Sequence, residues 1–288
     1  MATKKIVLVT GCTTGGIGYE TAKAFEKSGC RVYAAVRRLD SITGIDGLDI
    51  HKIYMDVLDE VSIKKAVEDI VAKEGRIDIV FNNAGVGLAR PLIDMDAETT
   101  RKLLDTNITS VILVSKYVAP QMIRQGAGLI VNVGSVTAYA TTPFGGLYAA
   151  SKAAVHSLSN CMRLELAPFG VKVSVVAPGA IKSNIGDNNL KAFYLPENSY
   201  YQTLREYVMA RANASQAPGC TPTAVFAQYV VKQCVKSSPP RYIDYGYMTN
   251  LFRIVRYLPW ALYDFFFSRR FGLLQLGNDV RAGKIKIQ

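Results

Sequence analysis

The sequence lacks the paired cysteine and histidine spacings that build metal sites and small disulfide frameworks. It contains two histidines, and its cysteines are odd in number and scattered, at Cys12, Cys30, Cys161, Cys220 and Cys234. Metal sites and disulfide-rich domains need ligands or partners at regular short spacings. We therefore predict no metal site and reduced thiols.

Acidic residues are scarce relative to basic ones. The 34 Lys and Arg residues against 23 Asp and Glu give a net charge of +11, which favours phosphorylated cofactors, acidic lipids or nucleic acids as partners. There is no long Lys/Arg run with interleaved aromatic residues and no zinc-finger or RNA-binding spacing. We therefore expect no nucleic-acid partner; a solvated basic surface is the alternative explanation of the charge.

A secretory signal pattern is also missing. Met1 to Lys5 lead straight into an apolar, strand-like run, without the charged, apolar and small-residue order of a cleaved leader. We therefore expect a cytoplasmic protein.

What the sequence does have is an alternation of short apolar runs and helical periodicity. The runs typical of strands buried on both faces are Ile6 to Thr10, Arg31 to Val36, Ile50 to Met55, Ile77 to Phe81, Leu129 to Val133 and Val171 to Ala177. The helical stretches are Tyr19 to Ser28, Val61 to Lys73, Glu98 to Arg124 and Tyr148 to Leu166. This order predicts an α/β, Rossmann-type doubly wound parallel sheet, with ligands beyond the carboxyl ends of its strands.

At 288 residues and 49% hydrophobic, the chain can bury one large core. The regular alternation fails from about Asn184 and helical character returns after Pro222. We predict one Rossmann domain over residues 1–240 and an apolar C-terminal extension over residues 241–288.

A glycine-rich loop follows the first strand and precedes a helix, at Thr10 to Gly18. Glycines in this position let the backbone approach a pyrophosphate at a helix N-terminus, although a tight turn alone would also explain them. The predicted cofactor contacts in the loop are Gly11, Thr13, Thr14, Gly16, Ile17 and Gly18.

Two arginines, Arg37 and Arg38, end the second strand, where a site specific for NAD usually has an acidic residue on the ribose 2′-hydroxyl. A guanidinium there can bind a 2′-phosphate, so we predict NADP(H), with Arg37 as the main contact. The alternative is that both arginines are solvated.

Small and polar residues follow the third and fourth strands. Asp56 suits a hydrogen bond to the adenine amino group, and Asn83, Ala84 and Gly85 bring small residues close to the nucleotide. Ordinary turn chemistry is the alternative for both segments.

Tyr148 and Lys152 lie at i and i+4, on one face of a predicted helix. An ammonium beside a phenol favours the phenolate, so the pair can exchange a proton with a substrate oxygen. Ser135, just after a strand, can hold that oxygen.

Asn107 lies in the middle of a predicted helix, where asparagine is unfavourable by helix propensity. This position indicates a functional role; the alternative is a hydrogen bond from the Asn107 side chain back to its own helix. His156 on the same face as Lys152 is expected to be packed rather than catalytic.

These motifs, together with Pro178 and Gly179, occur in the order found in the short-chain dehydrogenases/reductases, which residues 4–185 resemble. The resemblance implies that Tyr148 is the general acid, that Ser135 positions the carbonyl and that Lys152 also binds the nicotinamide ribose. It further implies that Asn107 orders a water. It adds Pro178, Gly179, Ile181 and Ser183 as cofactor contacts and makes a homo-oligomer plausible.

One departure from the family is a glycine loop longer by one residue, Cys12 to Gly15, which leaves open which of its side chains touches phosphate. This loop and Pro143-Phe144-Gly145 resemble a subgroup similar to NADPH-dependent 1-acyldihydroxyacetone-phosphate reductase. By that resemblance the reaction is reduction of a ketone or aldehyde on a hydrophobic, lipid-like or natural-product substrate.

Two alternatives to a reductase are a nonredox isomerase or cyclase on the same scaffold and a noncatalytic, membrane-associated NADP(H)-binding protein. The intact Ser135, Tyr148 and Lys152 argue against both.

Residues 184–222 fall where the family builds a substrate lid; an insertion packed on the core is the alternative. The most apolar segment, residues 251–270, has charges too frequent for a membrane span. We expect either an interfacial helix, kinked at Pro259, on the endoplasmic reticulum or a lipid droplet, or a helix over the cleft or a partner subunit.

Overall fold

The computed structural model describes residues 4–284. Its strands are β1 (Ile6–Thr10), β2 (Arg31–Val36), β3 (Ile50–Tyr54), β4 (Ile79–Asn82), β5 (Gly128–Val133), β6 (Val171–Pro178), β7 (Ile181–Lys182), β8 (Thr221–Pro222) and β9 (Tyr242–Tyr245). Its helices are α1 (Ile17–Lys27), α2 (Glu60–Glu74), α3 (Ala97–Leu104), α4 (Ser110–Gln125), α5 (Gly146–Leu166), α6 (Asn184–Lys191), α7 (Arg205–Ala212), α8 (Thr223–Cys234), α9 (Thr249–Val255), α10 (Trp260–Arg270) and α11 (Leu273–Arg281).

Seven parallel strands form the central sheet, in the order β3-β2-β1-β4-β5-β6-β9. Alternate residues of β1 enter different cores: Val7 and Val9 pack with Phe25 of α1 and Phe226 of α8, whereas Leu8 packs on the side of α2 and α4. Burial on both faces explains the continuous apolar runs. The predicted Rossmann-type doubly wound sheet is therefore confirmed.

Strand β9 was not predicted from the sequence. It pairs with β6 in parallel, with Ile243 buried and its neighbours partly exposed. Because β9 lies in the sheet, the sheet domain extends at least to Tyr245, past the boundary predicted at residue 240. A four-residue strand with one buried side chain gives too weak an alternation to detect.

The long helix predicted over Glu98 to Arg124 is interrupted. A π-helical turn over Asp105–Thr109 separates α3 from α4, and Asn107 lies buried in it. Single π-turns inside helices occur frequently at functional sites. The unfavourable asparagine was therefore a signal of this distortion.

The segment 184–222 is more regular than predicted, because it contains α6 and α7. The tail is also helical, but it breaks at Pro259, between α9 and α10, rather than kinking within one helix. In residues 4–284 no helix combines the length and the apolar character that crossing a bilayer requires.

Candidate active site

The glycine loop lies at the carboxyl end of β1, where the strand order reverses between β1 and β4. Gly11 has a φ of +71°, and a Cβ there would lie 2.9 Å from Cα of Ala84. A Cβ on Gly18 would lie 2.6 Å from the carbonyl oxygen of Gly11. Both positions need glycine, so the loop closes tightly on the end of β4.

Asn83 fastens this loop to β4. Its Nδ2 donates to the carbonyl oxygens of Thr10 (2.9 Å) and Gly11 (3.1 Å), while the amides of Asn83 and Ala84 donate to Oγ1 of Thr10. Asn83 therefore fixes the conformation of the glycine loop from the side of β4.

The structure separates the three side chains of the lengthened loop. Cys12 is fully buried, and its Sγ donates a hydrogen bond to the carbonyl oxygen of Val9. The amide of Thr14 donates to the carbonyl oxygen of Ser41, and its Oγ1 accepts from the amide of Thr43. Thr13 is exposed. Thr14 is thus bonded to the loop after β2. The contacts of Thr13 and Thr14 with phosphate stay a prediction.

Arg37 and Arg38 are both exposed at the carboxyl end of β2. Within residues 4–284, neither side chain forms an ion pair, so both are available to a 2′-phosphate. Asp56 accepts from the amide of Leu58 at 3.1 Å in a local turn. Its contact with adenine stays a prediction.

A cavity beyond the carboxyl ends of the strands brings half of the predicted site together. Its lining includes the predicted residues Ile17, Asn83, Gly85, Ser135, Tyr148, Lys152, Pro178, Gly179, Ile181 and Ser183. The predicted residues outside this lining are Gly11, Thr13, Thr14, Gly16, Gly18, Arg37, Arg38, Asp56, Ala84 and Asn107. We call it the cofactor cavity.

Ser135 and Tyr148 face each other at one end of the cofactor cavity. Burial raises the pKa of the Tyr148 phenol, while a hydrogen bond with Ser135 and the positive charge of Arg211 act in the lowering direction. The Ser135 hydroxyl also accepts from the amide and Oγ1 of Thr137, at 3.1 and 2.9 Å. Tyr148 is thus protonated at neutral pH and has partners that favour its ionisation during proton transfer.

Lys152 lies behind Tyr148 on α5. Its Nζ is 5.8 Å from the centre of the Tyr148 ring and donates to the carbonyl oxygen of Val133 at 2.8 Å. Burial lowers the pKa of Lys152 to about 8. The ammonium is therefore still charged near neutral pH and can stabilise a phenolate.

Asn107 braces this centre from the π-turn. Its Oδ1 accepts from the amide of Val86 at 2.8 Å, and its Nδ2 donates to the carbonyl oxygen of Val86 and to Oγ of Ser151. The Asn107 side chain thus makes these three hydrogen bonds outside its own helix. The ordering of a water by Asn107 stays a prediction.

His156 was set aside in the sequence analysis, yet it contacts the site. Its Nε2 accepts from the amide of Ser135 at 3.3 Å, and Gly134 leaves space for the ring. Burial, and secondarily the charge of Lys152, lower the pKa of His156 to about 4. His156 is therefore a neutral packed residue, as expected, that also positions Ser135.

A second, mainly apolar cavity adjoins the first, and we call it the substrate cleft. The two cavities share Ser135, Tyr148, Gly179, Ile185 and Ser215. Helices α9 and α10 supply Leu251, Phe252, Val255, Phe266, Phe267 and Arg270 to its wall. The inner face of α9 and α10 therefore lies over the cleft, which is one of the arrangements expected for the tail.

Arg211 and Ser215 also line the substrate cleft, and sequence reasoning missed both. Oγ of Ser215 is buried and has no hydrogen-bond partner among residues 4–284. Nε of Arg211 donates to Oγ1 of Thr142 at 2.9 Å. Both come from segment 184–222, whose position over the cleft depends on tertiary packing. No local motif marks them.

Comparisons with known proteins agree with this geometry. The family model described as short chain dehydrogenase matches residues 5–192. The chain is 34% identical to the short-chain dehydrogenase virD of Hypocrea virens, over 94% of this chain and 93% of that protein. It is 37% identical to the NADPH-dependent 1-acyldihydroxyacetone phosphate reductase of Schizosaccharomyces pombe, over 74% and 73% of the two chains.

Solved structures give the same result for the fold. A short-chain dehydrogenase from Streptomyces avermitilis superposes with a TM-score of 0.75 at 26% identity, over 98% of this chain and 99% of that chain. A short chain dehydrogenase from Burkholderia cenocepacia in complex with NADP has a TM-score of 0.68 at 22% identity, over 87% and 92%.

The chain therefore belongs to the short-chain dehydrogenase family. The predicted family and the predicted class, an oxidoreductase, are confirmed.

Proposed function

We propose that this protein reduces a ketone or aldehyde group of a hydrophobic, lipid-like or natural-product substrate, with Tyr148 as the general acid. The observation that carries the proposal is that Tyr148 and Ser135 line both the cofactor cavity and the apolar substrate cleft. A carbonyl at this junction would meet a proton donor from one side and the cofactor from the other.

The cofactor is NADP(H), as predicted. The relative from Schizosaccharomyces pombe is NADPH-dependent by name, and the Burkholderia cenocepacia neighbour was solved with NADP. In this chain the tight glycine loop fits a pyrophosphate, and the unpaired Arg37 and Arg38 fit a 2′-phosphate. When bound there, the reduced cofactor would supply a hydride for the carbonyl carbon.

The chain's own residues account for the proton. The Ser135 hydroxyl can hold the carbonyl oxygen, and Tyr148 can donate its phenol proton to that oxygen as negative charge develops. The Lys152 ammonium stabilises the resulting phenolate. Ser183, which lines the cofactor cavity, would hold the nicotinamide carboxamide.

The walls of the cleft support a hydrophobic substrate. Phenyl rings of Phe252, Phe266 and Phe267 face it from the tail, and Leu88 and Ile185 face it from the other side. Few polar groups are available to a sugar or another polar substrate, because most of the lining is apolar. Segment 184–222 contributes Ile185 and Arg211, which agrees with its proposed role as a lid.

The test is NADPH consumption with a panel of hydrophobic ketones and aldehydes, using wild-type protein and Tyr148→Phe. We expect the variant to bind NADPH normally and to lose about 10²- to 10⁴-fold in turnover, as removal of a general acid does. Near-wild-type turnover by Tyr148→Phe would refute the mechanism. Tight NADPH binding without consumption by any carbonyl would favour the nonredox or noncatalytic alternatives.

We also propose that the outer face of α9 and α10 binds a membrane surface, such as the cytosolic face of the endoplasmic reticulum or a lipid droplet. While Val255 and Phe267 pack inward, Ile254 and Trp260 are 65% and 78% exposed. Arg253 lies on α9, Arg269 lies on α10, and Arg256 directly follows α9. Exposed apolar side chains flanked by arginines are typical of helices that bind anionic lipid. The homo-oligomer stays a prediction.

Sedimentation with phosphatidylserine-containing vesicles tests this surface. The double variant Ile254→Asp/Trp260→Asp is expected to lose most binding. Leu164→Asp on α5 is the control, since Leu164 is as exposed as Ile254, at 65%. Equal binding by the double variant and wild type would contradict a membrane role for α9 and α10.

A further inference from the structure

Arg211, on α7, brings a positive charge into the substrate cleft beside the proton donor. It lines the cleft together with Ser135 and Tyr148, and its charge partly offsets the rise that burial gives to the pKa of the Tyr148 phenol. Burial in turn lowers the pKa of the guanidinium below its ordinary value. The charge thus lies half-buried, close to the reacting centre.

Some N–H donors of the Arg211 guanidinium make no hydrogen bond within residues 4–284. Its Nε donates to Oγ1 of Thr142 at 2.9 Å, and within residues 4–284 its terminal nitrogens have no hydrogen-bond acceptor and no carboxylate partner. A guanidinium has five N–H donors, and Arg211 is half-buried where it lines the cleft. The two terminal nitrogens of Arg211, the fork of the guanidinium, are therefore available to a ligand.

Gly145 makes room for this fork. A Cβ at position 145 would lie 2.7 Å from Nη2 and 2.9 Å from Nε of Arg211. Any larger residue would push the guanidinium away from the loop that leads to Tyr148. The loop thus keeps Arg211 at the catalytic end of the cleft.

The rest of the cleft adds no negative charge to neutralise Arg211. Among the described residues that line it, the charged side chains are Arg211 and Arg270, and none is acidic. Arg270 is exposed on α10, beside the apolar wall formed by Phe266, Phe267 and Phe271. The cleft therefore combines a cationic catalytic end with a long apolar wall.

We propose that Arg211 binds a carboxylate or phosphate that the substrate carries near its reacting carbonyl, while an apolar chain of the substrate lies along α9 and α10. This inference rests on the proposed reductase function and names the substrate class: an anionic amphiphile with a ketone or aldehyde group. A bidentate, charge-assisted pair with Arg would orient such a substrate toward Tyr148.

Two other roles for Arg211 are to lower the pKa of Tyr148 and to hold the Thr142 side chain in position. Both would affect every substrate equally, whereas an anion site affects anionic substrates only. Steady-state kinetics should therefore compare a medium-chain 3-oxo acid with its methyl ester, and an acyl dihydroxyacetone phosphate with the dephosphorylated ketone, which separates carboxylate from phosphate.

Wild type is expected to prefer the anionic member of at least one pair. Arg211→Gln should lower kcat/KM on that ketone by roughly 10- to 100-fold more than on its neutral partner, whose own loss measures the effect of the Arg211 charge on Tyr148. Arg211→Lys should recover part of the loss. Arg205→Gln, on the same helix but with its guanidinium over Phe193, is the matched control. Equal losses on charged and neutral ketones would overturn the proposal.

A binding experiment separates this inference from the reductase proposal. Calorimetry with protein saturated in NADP⁺ would measure decyl phosphate and decanoate, with decanol as the neutral probe. We expect at least one anion to bind at least about tenfold more tightly than decanol, and Arg211→Gln to remove that difference. If wild type reduces none of the ketones, the function fails but this measurement still decides the anion site. Unchanged anion binding by Arg211→Gln would overturn it.

Discussion

Arg37 and Arg38 follow β2 as exposed side chains, and they give a residue-level test of cofactor choice. We expect Arg37→Ala to weaken NADPH binding by roughly 10- to 100-fold, because it removes a charge-assisted contact with the 2′-phosphate. NADH has no such phosphate, so its affinity should stay within about twofold. Fluorescence titration of both cofactors measures the difference.

Arg38→Ala is the matched control for this prediction. It removes the same charge one residue later, and a smaller effect on NADPH would identify Arg37 as the main contact. Equal weakening of NADPH and NADH by Arg37→Ala would show that this residue does not bind the 2′-phosphate.

Lys152 predicts how the rate of reduction depends on pH. Burial lowers the pKa of its ammonium to about 8, so the charge is present at neutral pH and is lost as the pH rises through that value. Stabilisation of the Tyr148 phenolate is lost with it, and kcat/KM for reduction should fall on the alkaline side with an apparent pKa near 8. A pH series of initial rates measures this limb.

Lys152→Arg tests the assignment of that limb. An arginine stays charged throughout the range, so whatever rate remains should not fall near pH 8. A wild-type profile that stays flat well above pH 8 would contradict a role for the Lys152 charge.

At the scale of elements, the tail helices connect the cleft wall to the rest of the fold. Phe267 of α10 is 6% exposed and packs against Tyr263, Phe266 and Phe271. Phe144, which has a φ of +66° in the loop before Tyr148, packs against Phe271 as well. The tail therefore supports the catalytic loop in addition to covering the cleft.

We expect Phe267→Ala to destabilise the protein by about 3 kcal/mol, since it leaves a cavity in this cluster. Phe265→Ala on the same helix, at a position 54% exposed, should change the free energy of unfolding by less than about 0.5 kcal/mol. Denaturant unfolding measures both. Equal effects of the two substitutions would mean that α10 is not docked as described.

The sequence predicted elements well where one local pattern was enough. Buried parallel strands require continuous apolar runs, so β1, β2 and β5 were detectable, and the i, i+4 spacing of Tyr148 and Lys152 needed only a helix. Strand β9 has a single buried side chain, Ile243. Only its pairing with β6 makes it a strand, and no local pattern could show that pairing.

Arg211 and His156 illustrate the same limit for the site. Arg211 reaches the cleft because α7 packs against the loop at Thr142, and His156 meets Ser135 because α5 lies against the end of β5. Both contacts are products of tertiary packing. The resemblance to a family located the residues that the family shares, but it could not find contacts that depend on how the elements of this chain pack together.

At the scale of the whole molecule, His156 couples the active site to acid stability. Its pKa is lowered by burial to about 4 in the folded protein, against about 6.5 when unfolded. Between these values the unfolded chain binds one more proton than the folded one at this site. The contribution is therefore fully present above about pH 6.5 and is lost as the pH falls toward 4, by about 1.4 kcal/mol per pH unit.

His156→Gln keeps a side chain able to accept from the Ser135 amide and cannot titrate. We expect wild type to lose about 2 kcal/mol more stability than this variant between pH 7 and pH 5, measured by urea unfolding at both values. His51→Gln, at a partly exposed position, controls for the loss of a histidine as such. An equal loss in wild type and His156→Gln would show that His156 does not stay neutral in the fold. A larger loss in wild type would mean that the packing which holds Ser135 in place also makes the whole protein less stable in acid.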